Sequence, residues 1–325
     1  MKEIHKILLA KDIPSLLEKE TALKATYPTY SVSFKRYFLS SSRQRNQIEN
    51  PGINCSFVIQ PVLGEFKVAV WVLLVKDCPV DLVWHTNMCS KASGPEAQTT
   101  EILESYESQL DSLGLSISDN CIRTWFYVDN IDENYSGVVR ARRENFETQG
   151  MTKDTHYLAS TGICGGSVIP GTTVQMDALA IKGKFSQHYL YAPANFNPTH
   201  EYGVTFERGV VAKYGGLSHA LISGTASINN KGEIVHPGDV KAQTLRMLEN
   251  VEALLSEAES RWTDVQMMII YLRNEGDYGT VLPIFQDRFD FDQTPYVITL
   301  APVCRPGWLI EMECISVKPD NSPQP

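Results

Sequence analysis

Two stretches of the chain share one order of hydrophobic and polar positions. Residues 106–146 and 250–289 each begin with an amphipathic helix and continue in a strand rich in β-branched and aromatic residues, followed by a second helix. With one gapped residue the two stretches align at three aromatic positions: Tyr127 with Tyr271, Tyr135 with Tyr278, and Phe146 with Phe289. The pattern predicts an internal duplication.

Each copy then closes with a strand of alternating polarity, Val174–Ile181 in the first and Leu309–Ser316 in the second. Equivalent polar positions in these strands are Gln175 with Glu311, and Asp177 with Glu313. The repeated unit is far too long for a solenoid repeat. We therefore expect two α+β domains, with a degenerate first copy in residues 1–184 and the site-bearing copy in residues 185–325.

A pair of strands is expected at the start of each copy. In the second copy it is predicted in residues 207–216 and 219–228, around the turn at Gly215 and Gly216. In the first copy the best candidates are residues 55–64 and 66–75, although their polarity alternates less cleanly. The stretch 185–205 is rich in Pro, Asn and aromatic residues and is interpreted as a linker with a loop over a site.

The chain has 325 residues and a formal net charge of −9. An acidic surface repels phosphate backbones, which argues against general nucleic-acid binding, whereas a few buried arginines can still attract a small anionic metabolite. Seven scattered cysteines form no CxxC pair, and the histidines show no ligand spacing, so neither a metal nor a cofactor is expected. No signal peptide or membrane-spanning run is evident, and a cytoplasmic location is the simplest expectation.

Three blocks of the second copy resemble the RidA/YjgF superfamily: SGTASI (223–228), HPGDVKAQTLRMLENVEALL (236–255) and LIEME (309–313). The resemblance implies an α+β fold of the chorismate-mutase-like, ferredoxin-like-plus-helix type, with tandem domains in pseudo-threefold packing. It also implies either a monomer that mimics a trimer or a homo-oligomer such as a trimer. Members that deaminate imines carry an arginine fifteen residues before the glutamate matching Glu311, and here that position is Tyr296.

The tandem arrangement, with YLASTGI (157–163) and VCRPGWLIEMEC (303–314), is similar to the chorismatases, which release pyruvate from chorismate. That similarity implies Glu311 as the catalytic acid, Arg288 as a carboxylate-binding arginine and Tyr202 as a site tyrosine. Two departures from the chorismatase pattern concern ligand-reading loops. The segment after Tyr202 is short, which leaves Arg208 as the nearest substitute for a family arginine, and residues 229–232 replace a Gly-His pair.

Three further residues are candidates for contacts with the substrate. Arg305 lies in a turn before the last strand, Cys304 precedes it, and Tyr296 replaces the family arginine. Structural roles are open for each: Arg305 as a solvated charge, Cys304 as a small apolar residue, and Tyr296 as a volume filler. Glu311 could likewise belong to a polar strand face, and Arg288 could cap a helix end.

These residues favour a cofactor-free, chorismatase-like lyase or hydrolase acting on chorismate or a related cyclic dicarboxylate. One alternative is a non-catalytic RidA-like protein that binds a small metabolite. Another is an enamine or imine deaminase that uses Arg288 or Arg305 in place of the missing arginine. Because Gln175 replaces the glutamate in the first copy, that copy is expected to be catalytically silent.

Overall fold

The computed structural model describes residues 1–320 of the chain and has an α+β fold, as the sequence predicts. Its strands form three sheets, and helices cover one face of each sheet. Among the described residues no helix is long and apolar enough to span a membrane.

Four of the five strands of the first sheet lie in the N-terminal 76 residues, in the order β1-β4-β2-β3. Its elements are β1 (Lys2–Ala10), α1 (Ile13–Thr26), β2 (Ser31–Leu39), α2 (Ser42–Arg45), β3 (Cys55–Ile59) and β4 (Val68–Lys76). Helix α1 begins after Asp12, whose side chain accepts a hydrogen bond from the Ser15 backbone N–H. It packs Ile13 and Leu16 into the core.

The second sheet has the order β5-β9-β6-β7. Its elements are β5 (Asp81–Cys89), α3 (Pro95–Ser112), α4 (Ile117–Asn120), β6 (Cys121–Val128), α5 (Ile131–Thr148), β7 (Ala159–Cys164), β8 (Gly166–Ser167) and β9 (Val174–Lys182). The two-residue strand β8 pairs with β3 and so belongs to the first sheet. Helices α3 and α5 pack against each other.

The third sheet has the order β10-β11-β12-β15-β13-β14. Its elements are β10 (Ser186–Tyr189), β11 (Gly209–Tyr214), β12 (Leu217–Ala226), α6 (Val240–Glu257), β13 (Val265–Leu272), α7 (Tyr278–Arg288), β14 (Tyr296–Leu300) and β15 (Ile310–Pro319). Short 3-10 turns lie at Thr199–Tyr202, Trp262–Asp264 and Glu275–Asp277. The predicted strand pair in residues 207–228 is confirmed as β11 and β12.

The register of the second and third sheets places the residues aligned from the sequence at matching positions. Tyr127 lies opposite Gln175 in the second sheet, and Tyr271 lies opposite Glu311 in the third. The first sheet repeats the same pattern, including the register break near the start of its central strand, with Phe38 opposite Ala69. Sheet by sheet, the equivalent positions are Ala69, Gln175 and Glu311, and then Trp71, Asp177 and Glu313.

The predicted strand pair of the first copy is wrong. Residues 55–59 and 68–76 are β3 and β4, which do not pair with each other and belong to the first sheet. The strand that precedes α3 in the second sheet is β5, which pairs with β9. Residues 1–184 therefore contain the strands of two sheets, and the division of the chain at residue 184 remains a prediction.

The three sheets meet at a junction of charged and aromatic side chains. Arg36 of the first sheet binds Asp177 of the second at 3.0 Å, and its guanidinium lies 3.9 Å from Glu313 of the third. The Trp71 and Trp125 rings pack edge to face, with their centroids 6.3 Å apart. These side chains are buried. The charge of Arg36 is compensated by carboxylates of the two neighbouring sheets, as a buried charge requires.

Candidate active site

A cavity of about 360 Å³ lies where the second and third sheets meet, and we call it the Glu311 cavity. Its walls come from α5 and β7 on one side and from β12, β15 and the segments before β11 and β15 on the other. Its lining includes Tyr135, Arg142, Ser160, Thr161, Tyr202, Arg208, Gly224, Cys304, Arg305, Trp308 and Glu311. Both predicted copies thus contribute to its wall.

Glu311 is held on the central strand of the third sheet, between Ala226 of β12 and Tyr271 of β13. Its residue surface is only 5% exposed. The neighbouring β12 has a register break between Ile222 and Thr225, and the missing side chain of Gly224 makes room for the carboxyl group. A Cβ atom at position 224 would overlap the Glu311 carboxyl.

The environment of Glu311 favours its protonated form. Its carboxyl makes no hydrogen bond or ion pair to any residue of the described chain. Burial, followed by the negative charge of Glu313, raises the pKa of Glu311 to about 8, against the opposing charges of Arg208 and Arg123. At neutral pH Glu311 therefore holds a proton that it can donate to a ligand.

Glu313 lies two residues further along β15, facing the same side of the sheet, and is surrounded by donors. Arg123 Nη2 donates to its Oε2 at 2.6 Å and Thr161 Oγ1 at 2.5 Å. Trp125 Nε1 donates at 2.9 Å and the Tyr271 hydroxyl at 3.0 Å. Such a set of donors fixes an ionised carboxylate.

Arg142 brings a buried guanidinium to the cavity that the sequence interpretation missed. It lies on α5, is 1% exposed, and has Nε and Nη2 atoms without a hydrogen-bond partner. Its Nη1 reaches the Ser160 hydroxyl only at 3.5 Å. Its spacing could have identified it in the sequence. Arg142 follows the buried Val138 by four residues and therefore lies on the apolar face of the helix.

Arg208 and Tyr202, both predicted to contact the substrate, lie together in the wall of the cavity. Arg208 is 5% exposed and donates from Nη2 to the Tyr202 hydroxyl, while its Nε has no partner. Its guanidinium stacks over the rings of Phe196 and Phe206, at 4.7 and 5.2 Å from their centroids. Two buried guanidinium groups with unused N–H donors are thus available to an anionic ligand.

Arg305 and Cys304 also line the cavity. The Arg305 guanidinium lies over the Tyr202 ring at 4.6 Å and over the Trp308 ring at 5.0 Å. Its Nη1 donates to the Gly232 carbonyl at 3.4 Å, which ties the changed loop 229–232 to the site. Burial, followed by the charge of Glu311, raises the pKa of Cys304 to about 12, so Cys304 is a neutral thiol.

Arg288 and Tyr296 lie outside the Glu311 cavity. Arg288, at the end of α7, is substantially exposed, 3.5 Å from Glu252, with its guanidinium over the Trp262 ring. Tyr296 faces a larger, mostly apolar cavity of about 660 Å³ between the first and third sheets, with Phe289 and Phe291. The structure therefore does not bring these two predicted residues to Glu311.

The position of Tyr296 has a geometric explanation. Tyr296 pairs with Met268 in the third sheet as Ser160 pairs with Thr124 in the second, so Ser160 is the equivalent residue. Because the Glu311 cavity lies between sheets, its wall includes Ser160 rather than Tyr296. The Arg142 guanidinium lies beside Ser160, so a helix supplies positive charge where the family pattern predicts a strand arginine.

The equivalent position in the second sheet carries no acid. Gln175 is buried and donates from Nε2 to the Phe57 carbonyl at 3.0 Å. Within residues 1–320 no group of three or more His, Cys, Asp or Glu side chains is arranged to hold a metal ion. The Glu311 cavity thus combines a carboxyl of raised pKa with a wall that carries guanidinium groups.

Comparisons with known proteins place this geometry in a family. A family model described as endoribonuclease L-PSP matches residues 213–318. A RutC family protein of Pyrococcus abyssi is 34% identical over 87 residues, which cover 27% of this chain and 68% of the relative. The 3-aminoacrylate deaminase RutC of Acinetobacter baylyi is 27% identical over 95 residues, which cover 29% of this chain and 75% of the relative.

Similarity at the level of the fold extends over the whole molecule. A chorismatase crystal structure superposes with a TM-score of 0.71 and covers 97% of this chain and 98% of its own, at 19% sequence identity. The predicted resemblance is thereby confirmed for the family by sequence and for the chorismatase by fold. The chain belongs to the RidA/YjgF family, to which the RutC proteins also belong, and it has the overall fold of a chorismatase.

Proposed function

We propose that this protein is a chorismatase-like lyase or hydrolase that releases pyruvate from chorismate or a related cyclic dicarboxylate. The observation that carries the proposal is the pairing, in one cavity, of a protonated buried acid with two buried guanidinium groups that have unused donors. The substrate class offers two carboxylates, and the reaction requires a proton on the departing enolpyruvyl group.

Glu311 is the proposed general acid. Its raised pKa keeps it protonated near neutral pH, and no protein group competes for its proton among the described residues. In a hydrolysis it would donate that proton to the methylene carbon of the enolpyruvyl group, water would add to the neighbouring carbon, and the hemiketal would break its ether C–O bond to release pyruvate and the ring alcohol. In an elimination the ring C–O bond breaks, the ring loses a proton from the adjacent carbon, and the proton from Glu311 converts the departing enolpyruvate into pyruvate. A positioned acid of this kind typically contributes about 10²–10⁴-fold to the rate.

Arg142 and Arg208 are the proposed carboxylate-binding residues, with Arg305 at the rim. Buried guanidinium N–H groups without a hydrogen-bond partner reduce the free energy of unfolding. A bound carboxylate would offset that loss by accepting hydrogen bonds from them. Tyr202 orients Arg208 through its hydroxyl and offers an aromatic surface. Cys304, as a neutral thiol, supplies a small apolar contact in this proposal.

The direct test is incubation of the purified protein with chorismate, followed by chromatography of the products and an enzymatic pyruvate assay. We expect pyruvate to appear in equal amount to the chorismate consumed. Wild-type protein that neither consumes chorismate nor binds it at millimolar concentration contradicts this proposal. A protein that binds chorismate without turnover instead supports the non-catalytic, metabolite-binding alternative.

A deaminase is the second candidate, favoured by the guanidinium of Arg142 beside Ser160 and opposite the Glu311 strand. One relative is a 3-aminoacrylate deaminase, which acts on a small molecule carrying a carboxylate. Arg142 would bind the carboxylate, and Glu311 would donate a proton during hydrolysis of the imine. Ammonia release from freshly generated 2-aminoacrylate, at a rate above that of the Glu311→Gln variant, is the distinguishing result.

A further inference from the structure

The two glutamates of β15 face the same side of the third sheet, because side chains at positions i and i+2 of a strand share a face. Their environments are opposite. Glu313 accepts hydrogen bonds from Arg123, Thr161, Trp125 and Tyr271. Glu311 accepts none from the described residues. A proton shared between such neighbours belongs to the carboxyl without donors.

In the second sheet the equivalent positions hold a hydrogen-bonded carboxylate but no neighbouring acid. Asp177, equivalent to Glu313, is also a held carboxylate, with hydrogen bonds from Arg36, Ser56 Oγ and the Asn87 backbone N–H. Its neighbour Gln175, equivalent to Glu311, carries an amide instead of an acid. A carboxylate fixed by hydrogen bonds at the position of Asp177 and Glu313 therefore stabilises the sheet junction whether or not a second acid lies beside it.

We propose that Glu313 is a positioning residue of the Glu311 cavity, whose fixed negative charge keeps the proton on Glu311. The charge is fixed from across the junction, because Arg123, Trp125 and Thr161 all belong to the second sheet. The use of that proton in pyruvate release rests on the proposed function. The location of the proton does not.

The charges around the pair set the direction of the expected effect. Glu311 is faced by Tyr135 and Arg142 of α5, by Tyr202 and Arg208 before β11, and by Cys304 and Arg305 before β15, with Arg123 of β6 behind it. The titratable groups that interact with Glu313 are Arg36, Arg123, Tyr127, Tyr271 and its chain neighbour Cys314, and Asp177 lies on the other side of Arg36. Neutralising Glu313 removes the negative neighbour and leaves Arg123 free to favour ionised Glu311, so both changes act in one direction.

The test follows the carboxyl ¹³C resonances of protein labelled at glutamate. Glu311→Gln removes and so assigns the Glu311 resonance, and Glu313→Asp, which keeps the charge, assigns that of Glu313. In the wild type we expect the Glu311 resonance to titrate near pH 8. Glu313→Gln should lower the Glu311 midpoint by about one pH unit or more.

Asp177→Asn is the matched control, because it removes an equally buried carboxylate from the same junction. It should lower the unfolding midpoint and leave the Glu311 titration in place. An unchanged Glu311 midpoint in folded Glu313→Gln, or an equal shift in Asp177→Asn, overturns the proposal. If Glu313→Gln does not fold, the wild-type resonances decide, and a protonated Glu313 beside an ionised Glu311 overturns it.

Activity gives a separate measurement. If the protein releases pyruvate from chorismate, the alkaline limb of its kcat profile should move to lower pH in Glu313→Gln and stay in place in Asp177→Asn. If chorismate is not a substrate, the proposed function fails while the titration of Glu311 still decides the role of Glu313.

Discussion

Among the described residues Glu311 is buried with no ion-pair partner, and Arg142 is buried with two of its three guanidinium nitrogens lacking a hydrogen-bond partner. Glu311 avoids an unpaired buried charge because its raised pKa keeps it protonated. A guanidinium has no such option, since it stays charged at any ordinary pH. Their joint presence in one cavity is therefore expected to reduce stability, and in the proposed function a bound carboxylate offsets that loss. Arg123 and Glu313, by contrast, form a buried ion pair with each other and need no ligand to compensate their charges.

Glu311→Gln tests the acid. The amide has nearly the same shape but cannot donate the proton, so pyruvate release should fall by about 10²–10⁴-fold while chorismate affinity is largely retained. In the wild type kcat should fall as the pH rises through about 8, because only protonated Glu311 is active. Steady-state kinetics and calorimetric binding measure the two quantities. Equal losses in binding and turnover would contradict the acid role.

Arg142→Met tests the unpartnered guanidinium. Replacing a buried charge by an apolar side chain of similar length should raise the thermal unfolding midpoint. The same change should weaken chorismate binding by about 1.5–3 kcal/mol, because it removes a charge-assisted hydrogen bond. Arg288→Ala, which removes an exposed guanidinium outside the cavity, should change neither quantity appreciably. A less stable Arg142→Met protein with normal binding would contradict this account.

At the residue scale the sequence was informative where the repeat and the family pattern agreed. Glu311, Tyr202, Arg208, Cys304 and Arg305 were predicted and lie in one cavity. Arg288 and Tyr296 were selected by comparison within a single copy, which cannot show that the cavity lies between copies. Arg142 was missed because most helix arginines are solvated, and only its spacing from buried neighbours marks it.

At the scale of elements, the break in β12 shapes the site. The register of β12 against β15 is interrupted between Ile222 and Thr225. There Ser223 Oγ accepts from the Ser160 backbone N–H at 3.0 Å, which joins β12 to β7 of the second sheet. Gly224 donates its backbone N–H to Thr161 Oγ1 at 2.9 Å. The irregular strand thus fixes the distance between the two walls of the cavity.

Gly224→Ala tests this arrangement. The new methyl group would overlap the Glu311 carboxyl and lie 3.1 Å from Thr161 Cγ2, so Glu311 must move. We expect at least about a tenfold loss of kcat and a lower thermal unfolding midpoint. Gly279→Ala is the control, since Gly279 is exposed in α7 with open space around it, and there the midpoint should hold or rise slightly. Unchanged kcat in Gly224→Ala would contradict the role of the glycine.

The elements of the second and third sheets were predictable because hydrophobic periodicity and aromatic positions recur in both. The first sheet was not recognised as a further unit, because its equivalent positions carry Ala69 and Trp71 instead of polar residues. Its helix α1 buries only Ile13 and Leu16, which gives a weak amphipathic pattern. Strand β4 reads as a continuous apolar run, and such a run does not indicate its partners.

At the scale of the whole molecule, a buried charge cluster joins the first strand to the third sheet. Glu3 Oε1 accepts from His5 Nε2 at 2.6 Å and Glu3 Oε2 accepts from His219 Nε2 at 3.0 Å. His219 Nδ1 lies 3.2 Å from the Ala212 carbonyl oxygen, so each ring nitrogen of His219 faces an oxygen acceptor. Burial alone would raise the pKa of Glu3, but His219 and then His5 outweigh it and lower that pKa far below its usual range.

Glu3→Gln tests this cluster through its pH dependence. A depressed carboxyl pKa stabilises the fold above the ordinary value of 4.5, and the stabilisation is lost as the pH falls below it. At pH 7 the variant should lose about 3–5 kcal/mol of unfolding free energy in urea, because it removes the buried carboxylate that both histidines contact. The gap to the wild type should narrow in acid. Glu18→Gln, at an exposed helix position, should show no gap at either pH.

Because three similar sheets lie in a single chain, the number of ligands bound per chain can be predicted. A symmetric trimer of identical chains would repeat every cleft three times, so a substitution in one cleft would appear in all of them. Here each junction has its own residues: acid and guanidinium at one, an apolar aromatic cavity at another, and a held Asp177 at the third. Calorimetric titration should therefore count one dicarboxylate per 36.4 kDa chain, and Glu311 can be altered without changing its counterparts.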